Sequence, residues 1–106
     1  MHIVVFITAK DKEEAKNIAR HLVEARLAAC VNILDGVESI FWWEGKMDGA
    51  PEALLIVKSK KDLLKKIIKL VKSVHSYAVP EIIALPIVGG SDDYLKWIDQ
   101  SVGKDK

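Results

Sequence analysis

One thiol and three imidazoles are the side chains best suited to bind a metal or to act as a nucleophile or base: Cys30, His2, His21 and His75. A thiolate is a soft ligand that suits copper, although an isolated cysteine is more often a small buried hydrophobe. His2 lies next to the N-terminal amine and could capture Cu(II) at an exposed chain end. No Ser-His-Asp or Cys-His arrangement can be assigned from the spacing, so the sequence predicts that the protein is not an enzyme.

Phosphate and nucleic acid chemistry receives little support. The stretch from Thr8 to Asp11 contains no glycine that would help to cradle a phosphate and no arginine that would hold an acyl phosphate. The second predicted helix carries several lysines, which we interpret as a solvated face rather than a phosphate site. The formal net charge is only +1, and Phe6 is the one aromatic residue on the predicted central strands. We expect no nucleic acid partner.

The composition indicates one folded domain. The chain has 106 residues, half of them apolar, which is enough for a single core. We assign residues 1–102 to this domain and residues 103–106 to a flexible tail. One cysteine cannot form an intramolecular disulfide, the N-terminus does not resemble a secretory signal, and no apolar run reaches the roughly 20 residues that span a bilayer. We therefore predict a cytoplasmic protein with no membrane segment.

Four strands and three helices can be placed from the hydrophobic pattern. Ile3 to Ile7 and Ala53 to Val57 are continuous apolar runs, typical of central strands buried on both faces. Amphipathic helices follow both runs, the first capped by Asp11 and the second by Ser59. A fourth strand, Glu81 to Val88, contains Pro86 and should lie at an edge. A last helix begins at Ser91 or Asp92, so the order favours an α+β, ferredoxin-like βαββαβ sandwich with an additional C-terminal helix.

The second strand carries two adjacent tryptophans, one of which the core of a single chain cannot bury. It runs from Ala28 to Glu44, with a break at Asp35-Gly36 that we interpret as a bend, a two-residue hairpin being the alternative. A further turn signal covers Gly45 to Pro51. Adjacent side chains on a strand point to opposite faces, so one of Trp42 and Trp43 faces away from the core. Leaving an indole in water forgoes about 4 to 6 kcal/mol, and an edge strand with exposed tryptophans invites pairing with another chain. We expect Phe41, Trp42 and Trp43 to form a subunit interface.

Six stretches in order together resemble the CutA family, the divalent-cation tolerance proteins. They are Ala28-Ala-Cys-Val-Asn-Ile33, Phe41-Trp-Trp-Glu-Gly-Lys46, Leu55-Ile-Val-Lys58, His75-Ser-Tyr77, Val79-Pro-Glu-Ile-Ile-Ala-Leu-Pro86 and Asp93-Tyr-Leu-Lys-Trp-Ile98. The resemblance implies a ferredoxin-like fold assembled as a homotrimer through edge strands. It also implies a role in metal tolerance, with copper bound by some members, and an architecture similar to that of the PII signalling proteins.

The metal ligands implied by the resemblance are only partly present. The family pattern combines a first-strand cysteine with a His-His pair, and this chain has Ile7, Val74 and His75 at those places. His75 therefore remains, and Cys30, which matches the family's Ala-Ala-Cys, is a second candidate ligand. No cofactor is required on this interpretation, and Cu(II) or another divalent cation is the metal to expect.

The trimer implied by the resemblance would also create a cleft between subunits. If the edge strand of one copy lies beside the segment from His75 to Glu81 of another, the cleft would be lined by five side chains: Glu44, Lys58, Tyr77, Glu81 and Trp97. Alternatively, Lys58 and Glu81 form an ion pair and the aromatic rings only pack the interface. Two functions follow as hypotheses: a trimeric metal-associated protein, or a PII-like module that binds a small metabolite or a partner in the cleft.

Overall fold

A computed structural model describes residues 1–103 of the chain and shows one antiparallel sheet with three helices. The elements in chain order are β1 (His2–Ala9), α1 (Lys12–Glu24), β2 (Cys30–Trp43), β3 (Lys46–Lys60), α2 (Leu64–Val74), β4 (Ile82–Pro86) and α3 (Asp92–Ser101). The spatial order of the strands is β2-β3-β1-β4. The predicted mixed α+β class and the central positions of the first and third strands are confirmed. Of the predicted tail, only Gly103 lies within the described residues.

The core lies between the sheet and helices α1 and α2. Alternate residues of the central strands are completely buried, together with the apolar stripes of the two helices: Val5, Ile7, Leu55, Val57, Ile18, Leu22, Ile67 and Val71. The opposite face is covered only near one end, where Asp99 of α3 contacts His2 (2.9 Å) and Lys60 (3.6 Å). Val4 and Phe6 on this face are only half-buried. The prediction that β1 is buried on both faces is therefore wrong for the second face of a single chain.

The predicted N-terminal cap is confirmed for α1 and wrong for α2. Asp11 caps α1 as expected, because its Oδ1 accepts the backbone N–H of Glu14 at 2.9 Å. The predicted cap at Ser59 is wrong: this residue ends a buried run of β3, and its hydroxyl donates to the carbonyl of Leu27 at 2.6 Å. Helix α2 instead begins after a short 3-10 turn, Lys61–Leu63, without a side-chain cap.

The pairing of β2 with β3 continues well beyond the end of β1. Strand β1 ends opposite Ala53, whereas β2 and β3 remain paired from Val37↔Glu52 to Trp43↔Lys46. We call residues 37–52 the ribbon. The turn signal over Gly45 to Pro51 is confirmed only at its start: Glu44 and Gly45 turn, with φ of +51° and +79°, and β3 already begins at Lys46. Pro51 is tolerated within β3 because this part of the strand has a partner on one side only, so a missing N–H need not break a ladder.

The predicted bend in β2 is confirmed. The register between β2 and β3 shifts between Leu34 and Val37, and Gly36 adopts φ of +75°. An L-residue in this left-handed region is strained by its Cβ, which glycine lacks. The bend therefore depends on one backbone conformation that the sequence supplies at Gly36.

We predict that Gly36→Ala lowers the free energy of unfolding by about 1 to 2 kcal/mol, because the new methyl group has open space around it and only the backbone strain remains. Gly89→Ala is the matched control, since its Cβ would also meet nothing within 4 Å and its φ is not left-handed. Its effect should stay within about 0.5 kcal/mol. Chemical denaturation at one protein concentration measures both, and equal effects of the two substitutions would contradict the prediction.

Candidate functional site

His75 is a buried structural residue in this chain. Its side chain is completely buried, its Nε2–H donates to the carbonyl of Thr8 at 2.8 Å, and its Nδ1 accepts the backbone N–H of Tyr77 at 3.0 Å. These partners fix the neutral tautomer with the proton on Nε2. Both ring nitrogens are therefore engaged, and neither offers a free lone pair to a metal ion.

Glu14 fastens the segment after α2 to the start of α1. Its two carboxylate oxygens accept the backbone N–H groups of Lys10 at 2.9 Å and of Ser76 at 2.7 Å. Burial alone would raise the pKa of Glu14, but these hydrogen bonds to the charged form outweigh burial and hold the pKa below its ordinary value. The position of Tyr77 is thus set by the backbone bonds that hold Ser76 and Tyr77 itself.

A buried carboxylate on β3 is the centre of a second hydrogen-bonded group. Glu52 is only 9% exposed, and its Oε2 accepts the hydroxyl of Tyr77 at 2.8 Å. Its Oε1 accepts the hydroxyl of Ser39, on β2, at 2.5 Å. Two acceptor oxygens with two hydroxyl donors is the arrangement that suits an ionised carboxylate. Burial and the neighbouring Glu52 raise the pKa of Tyr77 to about 12, so the phenol stays neutral and remains a donor.

This group lines a cleft of about 820 Å³ between the ribbon and the segment from Tyr77 to Glu81. We call it the ribbon cleft. Three aromatic side chains and three carboxylates line it: Phe41, Trp43, Tyr77, Asp48, Glu52 and Glu81. Within residues 1–103, no lysine, arginine or histidine is among its lining residues. The cleft is therefore both aromatic and acidic.

The five side chains predicted to line a cleft between subunits are distributed over the chain. Tyr77 and Glu81 do line the ribbon cleft, which is formed within one subunit, and Glu44 lies in the turn at the tip of the ribbon. Lys58 lies two residues before the end of β3, and Trp97 lies on α3. A single chain thus brings together two of the five residues.

The partners of the remaining two residues are also defined. The ammonium group of Lys58 donates to the side-chain carbonyl of Asn32 on β2, so the alternative ion pair with Glu81 is not seen in this structure. The Trp97 ring lies against Tyr94, with ring centroids 5.4 Å apart. Both contacts are local to the end of the sheet that α3 covers.

Cys30 and His75, the predicted metal ligands, lie at different ends of the sheet. Cys30 is half-buried and pairs with Lys58, which lies opposite Val4, whereas His75 is bonded to Thr8. Four residues along a strand correspond to about 13 Å, and Cys30 lies two strands away from β1 in addition. One chain therefore does not bring the two ligands together. Nor does any group of three His, Cys, Asp or Glu side chains in the described range have metal-binding geometry.

The other two histidines also have partners. His2 Nε2 lies 2.9 Å from a carboxylate oxygen of Asp99, and His21 Nδ1–H donates to the carbonyl of Asn17 at 2.8 Å. The capture of Cu(II) by His2 suggested by the sequence would thus compete with its contact to α3.

The two faces of the ribbon differ in character. Phe41 and Trp43 face the ribbon cleft, which Ile40 also borders. By strand alternation the side chains of Ile40, Trp42 and Met47 share the other face, with exposures of 78%, 77% and 73%. We call these three residues the apolar strip. Trp42 and Met47 are direct neighbours across the two strands. The expectation that adjacent tryptophans face opposite ways agrees with this placement.

Sequence analysis missed Glu52, Ser39 and Asp48. Asp48 lies in the stretch from Gly45 to Pro51 that carries a turn signal, Ser39 lies opposite Ala50 of that stretch, and Glu52 directly follows it, so their shared face is not evident from the sequence. The signal was available in β2, where Ser39, Phe41 and Trp43 alternate along one face of a strand that continues to the turn. A hairpin that turns at Glu44-Gly45 would have placed Asp48 and Glu52 on the neighbouring strand with their side chains on that same face.

We predict that Tyr77→Phe lowers stability at pH 9 and that this difference shrinks as the pH rises toward 12. The raised pKa of Tyr77 means that the folded state holds the phenolic proton more tightly, so its contribution is complete below about pH 10 and is lost through pH 12. The change should be on the order of 1 to 2 kcal/mol, allowing for partial exposure. Urea unfolding of both proteins at one concentration measures it, and a constant difference from pH 9 to 12 would refute it.

Comparison with known proteins places these features in a family. The family model described as "CutA1 divalent ion tolerance protein" matches residues 3–101. The chain is 48% identical over 99 residues to "Protein CutA, chloroplastic" of Arabidopsis thaliana, covering 93% of this chain. It spans only about half (54%) of the length of that plant protein. Sequence identity of this level over most of the chain indicates common ancestry and a common fold.

Solved structures agree over the full length. The "Divalent cation tolerance protein (Cut A1)" of Thermus thermophilus is 47% identical, with a TM-score of 0.95 over 97% of this chain and 100% of that one. A structure described as "the Periplasmic divalent cation tolerance protein CutA" of Archaeoglobus fulgidus is 46% identical, with a TM-score of 0.94 and the same coverage. The resemblance inferred from six sequence stretches is confirmed: the chain belongs to the CutA1 divalent ion tolerance family.

Proposed function

We propose that this chain acts in divalent-cation tolerance as a homotrimer joined through the β2 edge. The names of its relatives support the cation-tolerance part. The apolar strip is the observation that carries the assembly, because three large side chains more than 70% exposed lie together on one face of the ribbon, two of them on the edge strand β2. Such an edge is an aggregation hazard in a monomer and a binding surface in an oligomer.

The strip also refines which residues the interface uses. Trp42, Ile40 and Met47 lie on the free face of the ribbon, whereas Phe41 and Trp43 lie on the face of the ribbon cleft. We therefore centre the proposed interface on Trp42, and not on all three residues of the Phe41-Trp42-Trp43 run equally. The copy number of three is what the family resemblance implies, and a closed ring leaves no free strip.

The metal-binding part of the proposal does not use His75. A ligand must offer a lone pair, and both nitrogens of this buried ring are occupied. Cys30, half-buried on the edge strand, is the remaining candidate from the sequence, with copies in neighbouring subunits as the way to gather ligands. Cu(II) is the first metal to test. No helix among residues 1–103 is long and apolar enough to cross a bilayer.

The cytoplasmic location and the absence of enzyme activity stay predictions. One relative is named as chloroplastic and another as periplasmic. The ribbon cleft favours a second candidate function, the PII-like binding of a small molecule, because it is a formed cleft with a fixed carboxylate at its base.

We predict that Trp42→Glu shifts the protein from a trimer of three 11.8 kDa chains toward single chains. A carboxylate in a buried apolar contact loses the burial of the indole and must also be desolvated. Val88→Glu is the matched control, since Val88 is 99% exposed and lies outside the ribbon. Sedimentation at micromolar concentration measures both. A wild-type particle of about 12 kDa that is well folded would refute the trimer.

We predict that His75→Ala and the wild type bind Cu(II) equally in calorimetry, whereas Cys30→Ser weakens binding. Loss of the imidazole also leaves the Thr8 carbonyl and the Tyr77 N–H without their partners, so thermal melting must first show that the variant is folded. A folded His75→Ala protein that no longer binds Cu(II) would show that the ring leaves its buried position to reach the metal. Undiminished binding by Cys30→Ser would remove the thiol from the proposal.

A further inference from the structure

We propose that the ribbon cleft binds a small organic cation, a molecule with a protonated amine or a quaternary ammonium group on an apolar body. This inference names the ligand class for the second candidate function, small-molecule binding in this cleft, and rests on it; it does not depend on a metal. It rests on three properties of the cleft: its charge, its aromatic walls and the rigidity of the carboxylate at its base.

The charge of the cleft is uncompensated. Asp48, Glu52 and Glu81 line it, and among the described residues no basic side chain does so. Glu52 is the most buried of the three, and its two hydrogen bonds come from neutral hydroxyls, which leave its negative charge in place. Burial of a carboxylate without a counter-charge is costly, so a cationic ligand gains more here than in water. An anionic ligand such as a nucleotide would meet the opposite sign of charge.

The aromatic side chains supply the second half of the site. Phe41, Trp43 and Tyr77 line the cleft, and Trp43 is 54% exposed, so part of its ring is available to a ligand. The negative face of an aromatic ring attracts an ammonium group within about 6 Å, and tryptophan does so best. The same rings cover the apolar body of such a molecule. A hydrated metal ion needs several oxygen ligands at once, and no group of three acidic, histidine or cysteine side chains in the described residues has that geometry. One carboxylate beside aromatic rings instead suits an organic cation.

The base of the cleft is formed before any ligand arrives. Ser39 and Tyr77 hold both oxygens of Glu52, and the backbone of Tyr77 is held in turn by His75. These bonds fix the carboxylate at the join of two strands and a loop, so little side-chain entropy is left to lose on binding. The cleft volume of about 820 Å³ suits an organic molecule of moderate size.

The cleft and the proposed subunit interface use opposite faces of the ribbon. Phe41 and Trp43 line the cleft on the face that they share with Asp48, whereas Trp42 and Met47 share the other face and do not line the cleft. Ile40 shares the face of Trp42 and also borders the cleft. Burial of the apolar strip in a trimer therefore leaves the aromatic face of the cleft to its ligand. Failure of the cation proposal would leave the assembly measurement unchanged, because that measurement depends on Trp42.

Three hexyl compounds of equal chain length test the proposal: hexylammonium, 1-hexanol and hexanoate, each titrated into the intact protein at constant salt. The readout is the indole N–H signals of the three tryptophans in a nitrogen-15 correlation spectrum. We expect hexylammonium to shift the signal of Trp43 and to leave those of Trp42 and Trp97, which lie outside the cleft, in place. A Trp43→Phe spectrum assigns the signal. Hexanol should shift it at least tenfold more weakly, and hexanoate not at all.

Charge-neutralising variants locate the contact. We expect Glu52→Gln to weaken hexylammonium binding about tenfold, and Asp48→Asn or Glu81→Gln to weaken it if Glu52→Gln does not fold. Glu38→Gln is the matched control, because Glu38 is exposed on the opposite face of the same ribbon, and it should bind like the wild type. Three outcomes would overturn the proposal: no shift of the Trp43 signal, equal shifts by hexylammonium and hexanol, or equal weakening by Glu38→Gln.

Discussion

The extended pairing of β2 with β3 is the constraint on which both functional surfaces depend. Before the bend, even-numbered residues of β2 share a face with even-numbered residues of β3, as in Leu34↔Leu54; after it, odd-numbered residues such as Phe41 pair with even-numbered ones such as Asp48. A strand without the extra residue would exchange its two faces, because the side-chain period is two. Trp42 would then enter the cleft and Trp43 would leave it. The bend at Gly36 therefore decides which tryptophan faces which partner.

The parts of the fold that follow from local pattern were predictable from the sequence. Continuous apolar runs located β1 and the inner half of β3, the Asp11 cap located α1, and Pro86 marked an edge strand. The predictions that failed were those in which the usual preference of a residue type was outweighed by its contacts in the folded chain. Glycine and proline are typical of loops, yet Gly49 and Pro51 lie in the part of β3 that pairs with β2 only, where the other edge of the strand has no hydrogen-bonded neighbour. Ser59 resembles a helix cap, yet its hydroxyl satisfies a buried carbonyl.

The candidate site was less predictable because it joins distant segments. Tyr77 and Glu81 were identified from their motif, but Glu52, which accepts the hydroxyl of Tyr77, is 25 residues away from Tyr77 and directly follows the stretch from Gly45 to Pro51 that carries a turn signal. His75 shows what a motif leaves open. The family motif implies a metal ligand at this position, and in the structure of one chain the ring hydrogen-bonds the backbone at both nitrogens. Hydrogen bonding alone can account for a buried imidazole.

The length of the ribbon makes its stability depend on association with another subunit. The molecule measures 44 Å along its longest axis and 28 Å and 22 Å across, and the ribbon has only two strands beyond the end of β1. An isolated two-stranded hairpin is marginal in water. If the proposed trimer forms, the amides of the ribbon should exchange with solvent in a newly folded subunit and become protected only when a second copy binds. Subunit encounter, and not the closing of the core, would then set how quickly the mature particle appears at low protein concentration.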